Sequence, residues 1–334
     1  MSAPSKVWPY IIGTLLLVAG DAGCDGPQSA LAPAGRGAQD IATLFWRMVA
    51  AGSVIWLVMV VLGIYSVRTH ADALGDRRRV RWLIIGGGSV IPTILLSVLL
   101  LTSLPMLPEL LAPAPPGALR IEVRGKMWWW RVRYLTPDGE SVELANEIRL
   151  PVGEPVEFQL ASDDVIHAFW IPSLGGKVDM IPGRLTRLKL EPTKTGIYRG
   201  ACAEYCGMSH ALMNFDVVVM EKVEFAQWLD QQREPARTPS EPLAIRGQQL
   251  FIHNGCPACH TVRGTEATRV IGPDLTHVGS RHTLGAGILK NEPRQFVNWI
   301  AHPDDLKPGV KMPAFDMLPE EHLQAIAAYL ETLQ

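Results

Sequence analysis

The 334-residue sequence lacks a strong charge of either sign: 31 Lys and Arg stand against 33 Asp and Glu, a formal net charge of −2. No basic stripe stands out, so nothing points to nucleic acid as a partner. No internal repeat is visible, which sets aside a repeat array. Cysteine is scarce, with five residues, and four of them fall in two close pairs. Beyond Leu104 there is no long apolar run, so the hydrophobic fraction of 48% partly reflects the N-terminal end alone. The length allows two or three domains.

Three apolar runs are present before that point. Val7–Gly20 follows Lys6 and is about 14 residues, short for a bilayer and suited to a signal-peptide core. It leads to DAGC, ending at Cys24, which resembles a bacterial lipoprotein cleavage site except that Asp21 replaces the usual Leu. Residues 1–24 are therefore expected to be a signal peptide, with Cys24 a candidate for lipidation. Phe45–Val67 is about 23 residues, or about 35 Å of helix, enough to span a bilayer. Trp82–Leu104 is of similar length, and its Gly86, Gly87, Gly88 and Pro92 are tolerated in a membrane helix. Transmembrane helices are expected over 43–68 and 81–105. The loop between them, 69–80, carries Arg77, Arg78 and Arg79, with Arg68 and Arg81 at its edges. The positive-inside rule places it in the cytoplasm and both chain ends outside. The rest of the chain then lies in an oxidising compartment, where a disulfide competes for any cysteine pair.

Residues 105–118 are Pro-rich and read as a tether. From 118 to 230 the pattern is of short alternating runs: IEVRGKMWWWRVRYL, SVELANEIRL, PVEFQL, LTRLKLEP and NFDVVVME. Several short strands with Gly, Pro and Asp between them predict a β-sandwich or barrel. On the first of these strands Trp128 and Trp130 would share a face and Trp129 take the other. Lys222–Asp230 reads as a short closing helix and 231–242 as a polar, Pro-rich linker. Residues 243–334 have a helical texture: AIRGQQLFIHNG, stopped at Asn254-Gly255; EPRQFVNWIAH; and PEEHLQAIAAYLETL, with Pro319 at its first position and an apolar face of Leu323, Ile326, Ala327, Leu330 and Leu333. A small all-α domain is expected there.

That domain opens with CPACH at 256–260. CxxCH is the haem c attachment signal, in which Cys256 and Cys259 form thioethers and His260 becomes the proximal ligand. A thioredoxin-like CxxC wants a βαβ context, and a zinc site wants another Cys or His pair at finger spacing; both are missing. The domain resembles small class I cytochromes c, in which a Met-Pro about 50 residues on supplies the axial sulfur. Here that residue is Met312, in GVKMPAF.

The other pair lies in CAEYCGMSHALM, residues 202–213, between two strand-like segments. Cys206, His210 and Met213 have the form of a blue-copper ligand loop: thiolate, imidazole and weak thioether. A second imidazole is needed, and His167 is the only upstream histidine outside the expected cytoplasmic loop. Cys202 is one cysteine too many for a single copper. A disulfide, a Cys₂His₂ zinc site and two thiolate-bridged coppers all remain open on the residues alone.

The loop, GKMWWWRVRY, DVIHAFWIPSLGGKVDMIPGR and the membrane hairpin together resemble subunit II of haem–copper oxidases, of the caa type with a fused cytochrome c. The resemblance implies a cupredoxin-like domain holding a binuclear copper centre, CuA. Cys202 and Cys206 would bridge both coppers. His167 and His210 would bind one each, with Met213 and the Glu204 carbonyl as weak ligands. The Glu204 carboxylate would reach a magnesium shared with the catalytic subunit. Trp128 would lie above CuA as the surface where electrons come in. Asp179 and Arg184 would face the catalytic subunit. Neither centre keeps an open coordination position, so dioxygen reduction would belong to that other subunit. The implied partners are the catalytic subunit I, further oxidase subunits and a cytochrome c-type donor. The implied location is a bacterial inner membrane, with both redox domains on the periplasmic side. A relative that reduces nitric oxide, and a copper-binding protein without an oxidase role, are the competing readings.

Overall fold

The computed structural model describes residues 25–68, 77–106, 108, 112–136, 139 and 141–334. The expected signal peptide, Cys24 and residues 69–76 of the expected cytoplasmic loop lie outside these. The chain divides into two compact units, Gln39–Ala112 and the remainder.

The smaller unit is helical. Helix α1, Arg36–Arg68, begins seven residues before the expected start at 43. Helix α2, Arg77–Trp82, continues through a π-helical segment, Leu83–Val90, into α3, Ile91–Ser103. The wide turns fall where Gly86–Gly88 weaken the regular helix. Arg36–Arg68 and Val80–Ser103 are both long and apolar enough to cross a membrane, with mean hydropathies of 2.3 and 2.2. Their apolar side chains are exposed along nearly their whole length, as lipid-facing helices require.

The larger unit begins with residues 25–38, which lie against a β-sandwich. Ala34 is buried, and its N–H donates to the Ser173 carbonyl. Among the described residues the sandwich has ten strands: β1 Leu119–Lys126, β2 Trp129–Leu135, β3 Ser141–Ala145, β4 Glu147–Pro151, β5 Val156–Ser162, β6 His167–Trp170, β7 Val178–Met180, β8 Thr186–Leu190, β9 Gly196–Cys202 and β10 Asn214–Met220. They form two five-stranded sheets, ordered β3-β2-β1-β5-β8 and β4-β10-β9-β6-β7. Alternation decides the faces: Ile121 and Val123 point inward, and Arg120, Glu122 and Arg124 outward. Between the sheets Phe169 stacks on Phe215 at 4.9 Å, and Trp130 meets Phe215 edge-on at 5.2 Å. A side chain at Gly200 would collide with the Phe215 ring, so only glycine fits there. Ala114, at the end of the tether, donates its N–H to the buried Glu157 carboxylate.

The tryptophan run differs from the single strand expected. Lys126 pairs with Trp129, so the hairpin turns at Met127–Trp128 and Trp128 is not a strand neighbour of Trp130. The turn's backbone bonds come from distant side chains. Asp164 accepts from the Met127 N–H at 2.7 Å and Asn146 from the Trp130 N–H at 2.8 Å. No local turn residue is needed, which is why the run reads as continuous.

Helix α4, Lys222–Arg233, extends three residues into the expected linker. Beyond it lie α5 Pro242–His253, α6 Pro293–Ala301, α7 Pro303–Leu306 and α8 Glu320–Thr332. Helices α5 and α8 cross at Gly247, where any side chain would strike the Ala325 carbonyl. Leu323, Ile326, Ala327, Leu330 and Leu333 are buried. Pro319 is the capping residue rather than the first helical one. The domain is helical apart from one short hairpin, β11 Thr283–Leu284 with β12 Leu289–Lys290.

Candidate metal and haem centres

Strand β9 ends at Cys202, and the chain loops through Cys206, His210 and Met213 before β10 begins. His167 opens β6, next to β9. This placement forms a chain of sulfur and nitrogen contacts. Cys202 Sγ lies 3.8 Å from His167 Nδ1 and 3.7 Å from Cys206 Sγ. Cys206 Sγ lies 3.6 Å from His210 Nδ1 and 3.8 Å from Met213 Sδ. The Glu204 carbonyl accepts from Cys202 Sγ at 3.2 Å. The two sulfurs are well beyond the ~2.05 Å of a disulfide, and both thiols are free and buried.

The electrostatics favour a soft cation. The hydrogen bond that Cys202 shares with Cys206 outweighs burial and, with His167, holds the Cys202 thiol well below its ordinary range. The hydrogen bond to Cys202 in turn drives the Cys206 thiol up, and burial and the charge on Cys202 add to it. One thiolate forms easily and the second needs a positive charge between them. Burial alone would lower His167, but Asp164 and Cys202 outweigh it and raise it to about 9. His167 Nε2 lies 2.8 Å from Asp164 Oδ1. With both ring nitrogens protonated, Nε2 faces Asp164 and Nδ1 faces the Cys202 sulfur; a cation bound among the sulfurs would take the place of the Nδ1 proton, while Asp164 keeps the one on Nε2. Gly125 makes room for the ring, since a Cβ there would lie 2.7 Å from His167 Cδ2. Two thiolates, two imidazoles and a thioether fit a thiolate-bridged copper pair. A disulfide does not fit, and a Cys₂His₂ zinc site would leave Met213 without a role.

Trp128 is 7% exposed, and its Nε1–H donates to the Cys206 carbonyl at 2.9 Å. It is not an open surface, because Gly309 of the helical domain packs on its ring. The Glu204 side chain is exposed. Asp179, on β7, is exposed and accepts from Lys177 at 2.9 Å, and Arg184 is exposed on the following turn.

In the helical domain Gly255 ends α5 at φ 79°, and the chain enters a tight turn, Cys256–Ala258. Cys256 and Cys259 are both free and half-buried, and burial raises Cys256 to about 11. His260 Nδ1 lies 2.8 Å from the Pro273 carbonyl. Donation there fixes the tautomer and leaves Nε2 as the free donor atom; burial lowers the imidazole and favours this neutral form. Met312 is half-buried against the domain core, while Met317 is 71% exposed. Two thiols on one turn beside a neutral, oriented imidazole fit covalent haem attachment.

A model of the periplasmic domain of cytochrome c oxidase subunit II matches residues 137–223, and a cytochrome c model matches residues 244–334. Subunit 2 of cytochrome c oxidase from Bacillus subtilis is 32% identical over 265 residues, covering 74% of this chain and 73% of that protein. The chain belongs to the cytochrome c oxidase subunit II family. The corresponding subunit of Alkalihalophilus pseudofirmus is 39% identical over 214 residues, covering 64% of this chain and 61% of that relative's length. Among solved structures, the periplasmic domain of subunit II of cytochrome oxidase (CoxB) of Bradyrhizobium japonicum is 35% identical, with a TM-score of 0.34, over 36% of this chain and 97% of that one. Membership of the family implies copper in the sandwich and haem in the helical domain.

Sequence reasoning missed Asp164, which orients His167, and Gly125, which admits it. Asp164 had a signal, lying three residues before His167 in SDDVIH.

Proposed function

We propose that this chain is the subunit through which electrons enter a terminal respiratory oxidase of a bacterial inner membrane. It would take electrons from a cytochrome c-type donor and pass them through haem c and CuA to a catalytic subunit that reduces dioxygen to water and pumps protons. The observation that carries this reading is the contact chain His167–Cys202–Cys206–His210–Met213 in the same compact unit as the CPACH turn.

Bound copper and haem would supply one-electron exchange. Cys202 and Cys206 would bridge the coppers, with His167, His210, Met213 and the Glu204 carbonyl completing the set. Cys256 and Cys259 would hold the haem covalently, with His260 and Met312 as axial ligands. The protein's share is rigidity and dryness. The ligands are held by sheet pairing, by the bond from Trp128 to the Cys206 carbonyl and by the contact of Asp164 with His167. Fixed ligands change little when an electron arrives or leaves. The exposed Glu204 carboxylate is assigned to a magnesium at the catalytic subunit, and Asp179 and Arg184 to the same interface. Helix α1 and the Val80–Ser103 helix would cross the membrane, leaving both redox domains periplasmic.

The test is purification from membranes in mild detergent. Co-purification with a large haem–copper subunit and cytochrome c-driven dioxygen consumption support the reading. Nitric oxide consumption without oxygen uptake would favour the nitric-oxide-reducing relative. A chain that purifies alone, with copper and no haem, would favour a copper-binding role and sink the proposal.

A further inference from the structure

The helical domain meets the sandwich through a polar boundary. Glu147 accepts from the His282 N–H at 2.7 Å, and Asp216 from the Thr283 hydroxyl at 2.6 Å. Arg199 donates to the Gly287 carbonyl, and the Asn214 N–H to the Ala286 carbonyl. Of these residues His282, Thr283, Arg199 and Asn214 keep access to water. Lys307 does not: it is 2% exposed. Its ammonium donates to the Leu212 carbonyl in the copper loop at 2.9 Å and to the Gly285 carbonyl of its own domain at 2.8 Å. Among the described residues it makes no ion pair. Burying an ammonium without a carboxylate costs stability. Its placement is better explained by the geometry it imposes.

That geometry is centred on the copper loop. Next to Lys307, the Pro308 carbonyl accepts from the Ser209 hydroxyl at 2.7 Å. Gly309 follows at φ +79°, so close to Trp128 that a Cβ would lie 2.9 Å from Cη2. Trp128 in turn bonds to the Cys206 carbonyl. Lys307 and Pro308 thus hydrogen-bond to the loop, and Gly309 packs on the tryptophan that bonds to it.

We propose that Lys307 is a positioning residue that clamps the haem domain onto the copper loop, so that the two domains act as one rigid body rather than as partners that dock and part. The inference rests on the reading of both domains as electron carriers. Lys307→Met keeps the length and removes the ammonium, leaving the Leu212 and Gly285 carbonyls without their donor.

Hydrogen exchange on the full detergent-purified complex reads the clamp directly, whatever the centres do. The Asn214 and His282 amides donate across the boundary. In the wild type they should exchange as slowly as the amides of β1. In Lys307→Met they should exchange faster by roughly tenfold or more, with β1 unchanged. Lys290→Met, an equal loss of charge at an exposed site, should change nothing. In Lys307→Met the haem and copper spectra should stay as in the wild type. The light-triggered haem-to-copper step should slow on the order of tenfold and become dependent on solvent viscosity, as a docking step is. Unchanged exchange at Asn214 and His282, or a step still independent of viscosity, overturns the proposal. If Lys307→Met fails to accumulate, the wild type decides alone: boundary amides that exchange like open loops overturn the clamp. Wild-type complex lacking haem or copper overturns the underlying reading instead, and the exchange data separate the two failures.

Discussion

The two cysteine pairs place opposite demands on the fold. Cys202 and Cys206 are buried where a strand ends and a loop begins, ringed by two imidazoles and a thioether. Cys256 and Cys259 are half-exposed on a turn, with His260 as their only companion donor in the motif. A pair that must hold a cation is built into a core, because its second thiolate forms only against positive charge. A pair that reacts once and becomes part of covalent bonds needs access, and its spacing alone suffices. The contrast explains why five contiguous residues announce the haem site, whereas the copper site needs His167 from 35 residues upstream.

The sharpest way to break the comparison is to disable one pair at a time. Cys202→Ser should abolish the binuclear copper signal in electron paramagnetic resonance and reduce copper to about half, with haem still attached. Retention of the full signal would mean that Cys202 does not bridge. Replacing both Cys256 and Cys259 with Ser should give the mirror result: no haem on a denaturing gel, and an intact copper spectrum. A smaller effect is expected one step out from the ligands. Asp164→Asn should weaken copper binding by ~10–100-fold, as losses of a histidine's supporting partner commonly do; competition against a chelator measures it, and unchanged affinity would remove Asp164 from the site.

The smallest effect concerns the sandwich alone. Burial pushes the Glu157 carboxyl up, but the Ala114 N–H, Gln159, Arg187 and Arg120 together hold it below the usual range. An acid depressed on folding stabilises the fold above its unfolded pKa, and that contribution fades as pH falls through the folded value. Glu157→Gln should therefore flatten the acid side of the sandwich's stability by ~1–3 kcal/mol and leave unfolding of the haem domain unchanged. Calorimetry across pH would show whether the acid-side slope persists in the variant, which would assign it to other carboxylates.

Much of this was legible before any fold was known. CPACH carries its own chemistry, and the loop from Cys202 to Met213 carries most of its ligands at fixed spacing. The two apolar spans and the strand alternation follow from period and length. Other features depend on contacts between distant residues. The turn at Met127–Trp128 is held by Asp164 and Asn146, so no local signal marks it. The packing of residues 25–38 on the sandwich rests on backbone bonds to Ser173 and Thr193 that composition does not encode. Lys307 sits in PDDLKPGVK with no motif around it, and only the fold shows it is buried. Topology, not motif, unites what lies far apart in the chain.

Asp164 has a consequence for anyone who would transplant the copper loop. One of its oxygens reaches His167 Nε2 and the Val165 N–H, and the other takes the Met127 N–H beneath Trp128. A single carboxylate thus ties the His167 ring to two backbone N–H groups, one in the loop before β6 and one in the turn between β1 and β2. Residues 202–213 are therefore not a self-contained cassette. A recipient sandwich would also need a histidine in the place of His167, together with the aspartate, the glycine at 125 and the tryptophan turn that hold it, or that histidine would be left free to swing.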